Sequence, residues 1–587
     1  MKRLFLGVFL GLLLAVGLLV AGVWGLMRMA GGQELQLADN SLLVLDWSGP
    51  LPGHQIHPAD ADFGTPVTLS HVSAAIREAA GRPEITGILI ERNLELPREY
   101  LQELGGALES FRQAGKPVWA HLELGYGSSY LAACLADTLA LSPSASGGLI
   151  LPGPSVSRLY MSEALKRLGV RMHVLHQGDA KSYGEEYIQQ TMSPAVRENL
   201  GLLVEDLLGE ELAWIGARRH VEPARLRQEL GRPERVWLSP SEARGLGLVD
   251  TLLSRADWDD AVEARFPGHS RLSISDWIGS RRQLPSQGEP KITTQDHVAV
   301  LWAEGNIVPG LLRSAQVQVQ SRAMIEQIRD LQESDAVKAV VLRVESPGGS
   351  ALASEEIYQE LVKLAKVKPL WISAGPVAAS GGYYLALPGA QIWASPFSVL
   401  GSIGVVALVP DLSGAAGKLG LNPQGIHPLP AAKLGDLGSP VEASTLAAMN
   451  LRLGEVYAEF RSRVLAHRPL SAEQLTPVAG GRVWSGRRAV ELGLADQLGD
   501  LQDCLDSLQA TLGATPLPVS QYPRQESLLS LLLSGHLKPR DLLPGAQLSA
   551  GAKWLGMGDF VGQLEEEPAR LGDPFWTLRA EESLLLR

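Results

Sequence analysis

The stretch KPLWISAGPVAASGGYYLA, residues 368–386, joins an apolar run to a small-residue segment. The apolar run is typical of a buried strand, and residues 381–387 have the composition of a short helix. Ser380 falls at the turn between them, where a hydroxyl can project and the helix N-terminus favours negative charge. Gly381 and Gly382 allow other backbone to approach closely. Taken alone, the stretch fits a candidate nucleophile and equally a helix start that packs on a sheet through small residues.

An earlier part of the chain repeats this pattern. KPVW at 116–119 leads to YLA at 130–132, and matching strands, Ser-Pro pairs and Gly-Leu-x-Asp segments extend the repeat along both halves. In this alignment Tyr126 stands opposite Ser380, so the earlier copy lacks the serine. Apolar strands that alternate with amphipathic helices predict an α/β protein with largely parallel sheets.

Length and composition limit the possible functions. At 587 residues the chain has room for more than one domain. The repeat places one αβ domain at 40–275 and a second at 297–512, with a peripheral tail over 513–587. A formal net charge of −12, without any basic tract, argues against binding to nucleic acid.

The N-terminus contains an apolar, uncharged run over residues 4–27, directly after Lys2 and Arg3. About 20 apolar residues suffice to cross a bilayer, and this run is longer than the apolar core of a secretory signal peptide. We therefore expect an uncleaved transmembrane anchor rather than a cleaved signal. The two leading cations favour a cytoplasmic N-terminus, which places the body of the protein outside the cytoplasm.

A second glycine motif follows another apolar strand. SPGG at 346–349 comes directly after the apolar segment 339–344. Pro-Gly is typical of a turn, but Gly348 and Gly349 can also present backbone N–H groups to a negatively charged oxygen. The first half has lost both this motif and the serine. Their joint loss favours one shared catalytic role over two independent turns.

SPGG, ASGGYY and Gly401-Ser402-Ile403-Gly404 together resemble the motifs of the signal peptide peptidase A family, in its tandem-domain bacterial form, over roughly residues 40–510. The resemblance implies two crotonase- and Clp-protease-like αβ domains after a transmembrane helix. It also implies a serine endopeptidase with a Ser-Lys dyad that uses no metal and no other cofactor. Ser380 would be the nucleophile, Ser402 would orient the lysine, and the backbone N–H of Gly349 would bind the oxyanion.

The same resemblance implies substrates, assembly and location. Its substrates would be remnant signal peptides in the cytoplasmic (inner) membrane of a bacterium, and the protein would be a single-pass homotetramer with its catalytic body on the periplasmic side. Two rival functions stay open. One is a catalytically inactive membrane scaffold of the same fold, and the other is a crotonase-like acyl-CoA enzyme, which also binds an oxyanion through paired N–H groups.

A serine hydroxyl needs an adjacent base to become nucleophilic. In the tandem form of the family this base is a lysine of the first half that precedes Met-Ser-Pro, and here Lys181 precedes MSP at 192–194. Lys433 lies near the corresponding register of the second half and is the alternative. His427, within a Ser-His-Asp arrangement, is a third possibility. A lysine base needs its pKa lowered by roughly 3 from about 10.4, which burial can achieve.

Overall fold

The computed structural model describes residues 37–47, 51–53, 67–282, 295–310, 317–522 and 577–579, apart from residues 430, 432, 434, 435, 437 and 514. The predicted anchor at 4–27 lies outside these residues. Within the described ranges, no helix combines the length and the apolar character needed to cross a bilayer.

The first half is built around a parallel sheet. The strands up to residue 282 are β1 (Ser41–Leu45), β2 (Ile85–Ile90), β3 (Val118–Leu122), β4 (Leu124–Tyr126), β5 (Thr138–Leu141), β6 (Gly148–Ile150), β7 (Arg171–Gln177), β8 (Thr251–Leu252) and β9 (Ser270–Ser273). Six of them form a sheet in the order β8-β5-β3-β2-β1-β9, with every neighbouring pair parallel. The helices are α1 (Leu69–Ala80), α2 (Tyr100–Gln113), α3 (Gly127–Ala133), α4 (Ser162–Leu168), α5 (Glu185–Ile188), α6 (Pro194–Arg219), α7 (Pro223–Leu230), α8 (Pro240–Gly245), α9 (Arg255–Arg265) and α10 (Ile274–Arg282).

The second half repeats this plan. Its strands are β10 (His297–Glu304), β11 (Asn306–Val308), β12 (Gln318–Gln320), β13 (Val337–Ser346), β14 (Gly348–Ser350), β15 (Leu370–Ala379), β16 (Ile392–Ala394), β17 (Val399–Gly401), β18 (Val405–Asp411), β19 (Val483–Ser485), β20 (Gln497–Leu498), β21 (Val519–Tyr522) and β22 (Thr577–Arg579). The main sheet runs β19-β17-β15-β13-β10-β21; in addition, β16 pairs with β15, and β20 pairs with β16. The helices are α11 (Ser321–Glu333), α12 (Ala351–Ala365), α13 (Gly381–Ala386), α14 (Ser413–Lys418), α15 (Ala443–His467), α16 (Ala472–Val478), α17 (Gly486–Glu491) and α18 (Leu501–Leu512).

Both main sheets are covered on both faces. All ten residues of β15 are buried, as expected for a central parallel strand between two layers of helices. Each half has its own large apolar core, one built from β1, β2 and α2 and the other from β13, β15 and α12. The α/β prediction with largely parallel sheets is therefore confirmed.

Equivalent hydrogen bonds mark the repeat in three dimensions. The Tyr130 hydroxyl donates to the carbonyl oxygen of Leu248 at 2.8 Å, and the Tyr383 hydroxyl donates to that of Leu494 at 2.8 Å. Each tyrosine thereby ties a short helix to the closing segment of its own half. The buried hydroxyl needs such a partner, which explains why the tyrosine recurs in both copies.

These bonds correct the sequence alignment by one residue. Tyr130 corresponds to Tyr383, so the residue that stands opposite Ser380 is Gly127 and not Tyr126. Both positions have a positive φ, +44° for Gly127 and +56° for Ser380. The first half thus keeps a positive φ at this position but occupies it with glycine, the residue that adopts a positive φ without strain.

A third sheet contains strands of both halves. Its order is β12-β11-β14-β22-β18-β7, and β7 is the only member from the first half. β7 pairs antiparallel with β18 along its whole length, from Arg171 opposite Asp411 to Gln177 opposite Val405. Because Lys181 follows β7 by four residues, this pairing carries the lysine of the first half into the second half.

Two described pieces of the segment 513–587 belong to these sheets and do not lie apart from them. Val519–Tyr522 pairs in parallel with β10 at the edge of the second main sheet. Thr577–Arg579 lies between β14 and β18, antiparallel to both. The expectation of a peripheral tail therefore needs correction for these two strands.

Candidate active site

Ser380 sits at a strained turn between β15 and α13, where the sequence predicts it. Its backbone has φ +56° and ψ −116°, a region that costs a residue other than glycine about 1–3 kcal/mol. The side chain is fully buried, and the backbone N–H donates to the carbonyl oxygen of Gly401 at 2.8 Å. The neighbouring strand β17 therefore helps to hold the serine in a conformation that it would not adopt by itself.

The glycines after Ser380 let the SPGG segment pack against the start of α13. A Cβ on Gly382 would overlap the carbonyl oxygen of Ser346, and one on Gly381 would lie 3.2 Å from the Cα of Gly348. The close backbone approach predicted at these two glycines is confirmed. It brings the 346–349 segment next to the serine turn.

Gly349 is the middle residue of β14 and is buried. Its φ is +155°, and a Cβ there would overlap the carbonyl oxygen of Ile307 on β11. On the other side, Leu578 of β22 stands opposite Gly349 in the antiparallel ladder. Since Gly348 packs on Gly381, the backbone of Gly349 lies close to the serine turn.

Lys181 reaches this site from the other half of the chain and is buried with it. Its Nζ lies 2.8 Å from Ser380 Oγ, 3.0 Å from Ser402 Oγ and 3.3 Å from the carbonyl oxygen of Ser402. Burial lowers the pKa of Lys181 well below its usual value. None of the three contacting groups carries a negative charge, so none of them acts as a counter-ion to a protonated Lys181.

Ser402, like Ser380, has a positive φ. Within the described ranges, four residues other than glycine have a positive φ, namely Asn40, His220, Ser380 and Ser402. Two of these four contact the Lys181 amine. Residues with a strained backbone concentrate at functional sites, where the surrounding structure holds them in place. Here two such residues contact the same amine.

The two alternative bases lie elsewhere. Lys433 is exposed, and its ammonium forms an ion pair with Glu442. Nε2 of His427 lies 3.1 Å from Oδ2 of Asp436, within the same stretch of chain. The structure thus brings Lys181, Ser402 and the SPGG segment to Ser380, whereas Lys433 and His427 have other partners.

One segment that contacts the site carries no motif recognised in the sequence. Residues 480–482 touch both Lys181 and Ser402, and they directly precede the repeated Val-Trp pair at 483–484. The first half has Pro233–Arg235 before its own Val-Trp pair. The change from Pro-Glu-Arg to Gly-Gly-Arg is the signal that could have found this segment.

Across the part of the chain that the structure describes, no three His, Cys, Asp or Glu side chains come close enough to hold a metal ion. The arrangement at Ser380 consists of two serine hydroxyls, one buried amine and nearby glycine backbone. Such a set can perform acyl transfer with a serine nucleophile.

Comparison with known proteins agrees with this chemistry. The model of Peptidase family S49 matches residues 110–265 and 362–515. The chain is 30% identical to Protease 4 of Salmonella typhi over 98% of this chain and 94% of that protein. It is 29% identical to Protease 4 of Haemophilus influenzae over 90% of this chain and 86% of that protein. A relative from Enterococcus faecium, provisionally named signal peptide peptidase SppA, is 33% identical over 49% of this chain and 84% of its own length.

The fold and the relatives define a serine protease with an α/β architecture and two tandem family domains. The chain belongs to peptidase family S49.

Proposed function

We propose that the protein is a serine endopeptidase in which Ser380 is the nucleophile and Lys181 is the general base. The observation that carries this proposal is the distance of 2.8 Å between Lys181 Nζ and Ser380 Oγ in a buried site. A neutral amine has two N–H donors and one lone pair. The two contacts to Ser402 can use the donors, which leaves the lone pair for the Ser380 hydroxyl.

The proposed reaction is acyl transfer to Ser380. Lys181 accepts the hydroxyl proton as Oγ bonds to the peptide carbonyl carbon, and the backbone N–H of Gly349 donates to the resulting oxyanion. The C–N bond then breaks, and Lys181 gives the proton to the departing amine. Water, deprotonated by the same lysine, hydrolyses the ester and restores the serine. In this scheme Ser402 orients the lysine.

We further propose that the body is anchored by residues 4–27 and works at the periplasmic face of the bacterial cytoplasmic membrane. The apolar N-terminal run after two cations supports this placement. The proposed substrates are cleaved signal peptides, which are extended and apolar, and the name of the Enterococcus faecium relative supports this class. We also propose that the protein is a homotetramer and that both of its domains have a crotonase- and Clp-protease-like fold.

The two rival functions account less well for the site. An inactive scaffold gives no reason for a buried lysine whose pKa is strongly lowered and which contacts a strained serine. An acyl-CoA enzyme can share the glycine backbone but has no need of the Lys181–Ser380 contact.

Labelling the detergent-solubilised full-length protein with a fluorophosphonate probe tests the dyad. Mass spectrometry should map the adduct to Ser380, and the unlabelled protein should cleave a synthetic signal peptide in micelles. Absence of both labelling and cleavage would support the scaffold. Ordinary cleavage by Ser380→Ala would disprove the nucleophile.

The two lysines provide a matched pair for the same assay. We expect Lys433→Ala to keep activity within about twofold, because an exposed ion pair contributes little. Lys181→Ala should lose at least about 1,000-fold in kcat. Retained activity in Lys181→Ala, with loss of activity in Lys433→Ala, would identify Lys433 of the second half as the base.

A further inference from the structure

Three separate segments meet around Lys181. Residues 178–181 bring the lysine from the first half, and residues 401–403 bring Ser402 from the second half. Between them lie residues 480–482, which contact both. The third segment is therefore in a position to set the geometry of the other two.

Arg482 contacts the lysine segment through its side chain and the Ser402 segment through its backbone. Its guanidinium binds Asp179 in a bidentate manner, with Nη1 to Oδ1 and Nη2 to Oδ2 both at 2.9 Å. Its carbonyl oxygen accepts the backbone N–H of Ser402 at 2.6 Å. Asp179 lies two residues before Lys181, so one residue connects the chain of the lysine to the serine that contacts it.

The backbone on either side of Arg482 tightens this connection. The N–H of Ala180 donates to the carbonyl oxygen of Gly480 at 2.9 Å. A Cβ on Gly481 would overlap the backbone of Lys181, so glycine is required there for close approach. On the far side, Val483 exchanges two hydrogen bonds with the side-chain amide of Asn199, at 2.9 and 3.0 Å.

We propose that Arg482 is a positioning residue that holds Lys181 in register with Ser380 and Ser402. The side chain fixes the approach of the lysine, and the carbonyl oxygen fixes the strained backbone of Ser402. This inference rests on the proposed Ser380–Lys181 function, because it assigns a role only if Lys181 is the base.

A purely structural role would show a different pattern. The Asp179 side chain is 61% exposed and that of Arg482 is 22% exposed, and exposed ion pairs contribute little to stability. In contrast, a displacement of about 1 Å in a catalytic group can cost roughly 100-fold in rate. The pair should therefore matter more for turnover than for folding.

The chain offers a matched control in Arg488. Its guanidinium also binds a carboxylate of the first half in a bidentate manner, with Nη2 to Asp206 Oδ1 at 2.8 Å and Nε to Oδ2 at 3.1 Å. This second pair joins α6 to α17 and has no contact with Lys181 among the described hydrogen bonds. Replacing Arg488 thus removes a similar ion pair between the halves without touching the lysine.

The experiment compares Arg482→Ala, Asp179→Ala, the double variant and Arg488→Ala in the full-length protein. We expect the first three to lose about 10- to 100-fold in kcat with KM within about twofold, and the double variant to be no worse than Arg482→Ala. The acid limb of kcat/KM should move to higher pH in these three, because water that reaches Lys181 restores part of its ordinary basicity. Arg488→Ala should match the unmodified protein in both respects.

Wild-type kcat and pH profile in Arg482→Ala, or losses that simply multiply in the double variant, would overturn the inference. If Arg482→Ala does not fold, Arg482→Lys replaces it, since lysine keeps the charge but not the bidentate geometry. Lys181→Ala separates this result from the proposed function. If that variant keeps its activity, the dyad itself is wrong, whereas its inactivity beside a normal Arg482→Ala rejects only the positioning role.

Discussion

Ser380→Gly is expected to abolish proteolysis and to make the folded protein more stable than Ser380→Ala. Without the hydroxyl, kcat should fall by about 10,000-fold or more. Glycine adopts φ +56° and ψ −116° without the steric cost that alanine shares with serine. The free energy of unfolding of the glycine variant should exceed that of the alanine variant by about 1–2 kcal/mol.

Chemical denaturation of both variants measures this difference. The reverse substitution, glycine to serine, can be made at the equivalent turn of the first half. Gly127 occupies the equivalent turn with φ +44°, and within the described residues no heavy atom outside its own turn lies within 4 Å of a Cβ built there. Gly127→Ser should therefore lower the free energy of unfolding by a similar amount and leave proteolysis intact. Equal stability of the glycine and alanine variants at 380 would show that the turn imposes no strain.

Lys181→Met is expected to abolish proteolysis and to raise stability at neutral pH. Methionine keeps the length of the side chain and removes the group whose pKa burial lowers well below its ordinary value of 10.5. Between the lowered pKa and 10.5, the unfolded chain holds a proton that the folded chain has released. The stability of the unmodified protein therefore rises with pH in that window, by at most about 1.4 kcal/mol per pH unit for this group.

It follows that the stability advantage of Lys181→Met should be largest below the lowered pKa of the lysine and should shrink as pH approaches 10.5. The activity of the unmodified protein should fall as pH drops through the same lowered pKa, because the base becomes protonated. Unfolding measured across pH tests the first statement, with Lys433→Met as the exposed control. A pH-independent difference between Lys181→Met and the unmodified protein would mean that the buried amine titrates normally.

Local structure at the site follows from local sequence. The apolar run before Ser380 forms β15, because strand formation depends on neighbouring residues. Gly381 and Gly382 permit the close packing of the SPGG segment, because neither glycine has a Cβ to block it. The one-residue error in the alignment of the two halves arose because its resolution depends on a contact distant in sequence. Tyr383 and Tyr384 are adjacent and chemically identical, and only the tertiary contact to Leu494 distinguishes them.

Longer-range geometry could not be derived from the residues alone. Lys181 and Ser380 are 199 positions apart, and no local pattern in either half predicts that β7 pairs with β18. The resemblance to a family suggested the lysine, whereas pairing in the third sheet supplies the physical reason for its position. Arg482 was missed for the same reason, since its partner Asp179 belongs to the other half.

The strand pairing between β7 and β18 also has a consequence for the synthesis of this protease. A growing chain releases Lys181 from the ribosome long before Ser380, and β18, the partner of β7 among the described strands, emerges only later. Contacts so distant in sequence form late in folding, because a long loop must close first. With the proposed dyad, the nascent N-terminal domain would carry the base without the nucleophile, and peptidase activity would begin only when the two halves have folded together.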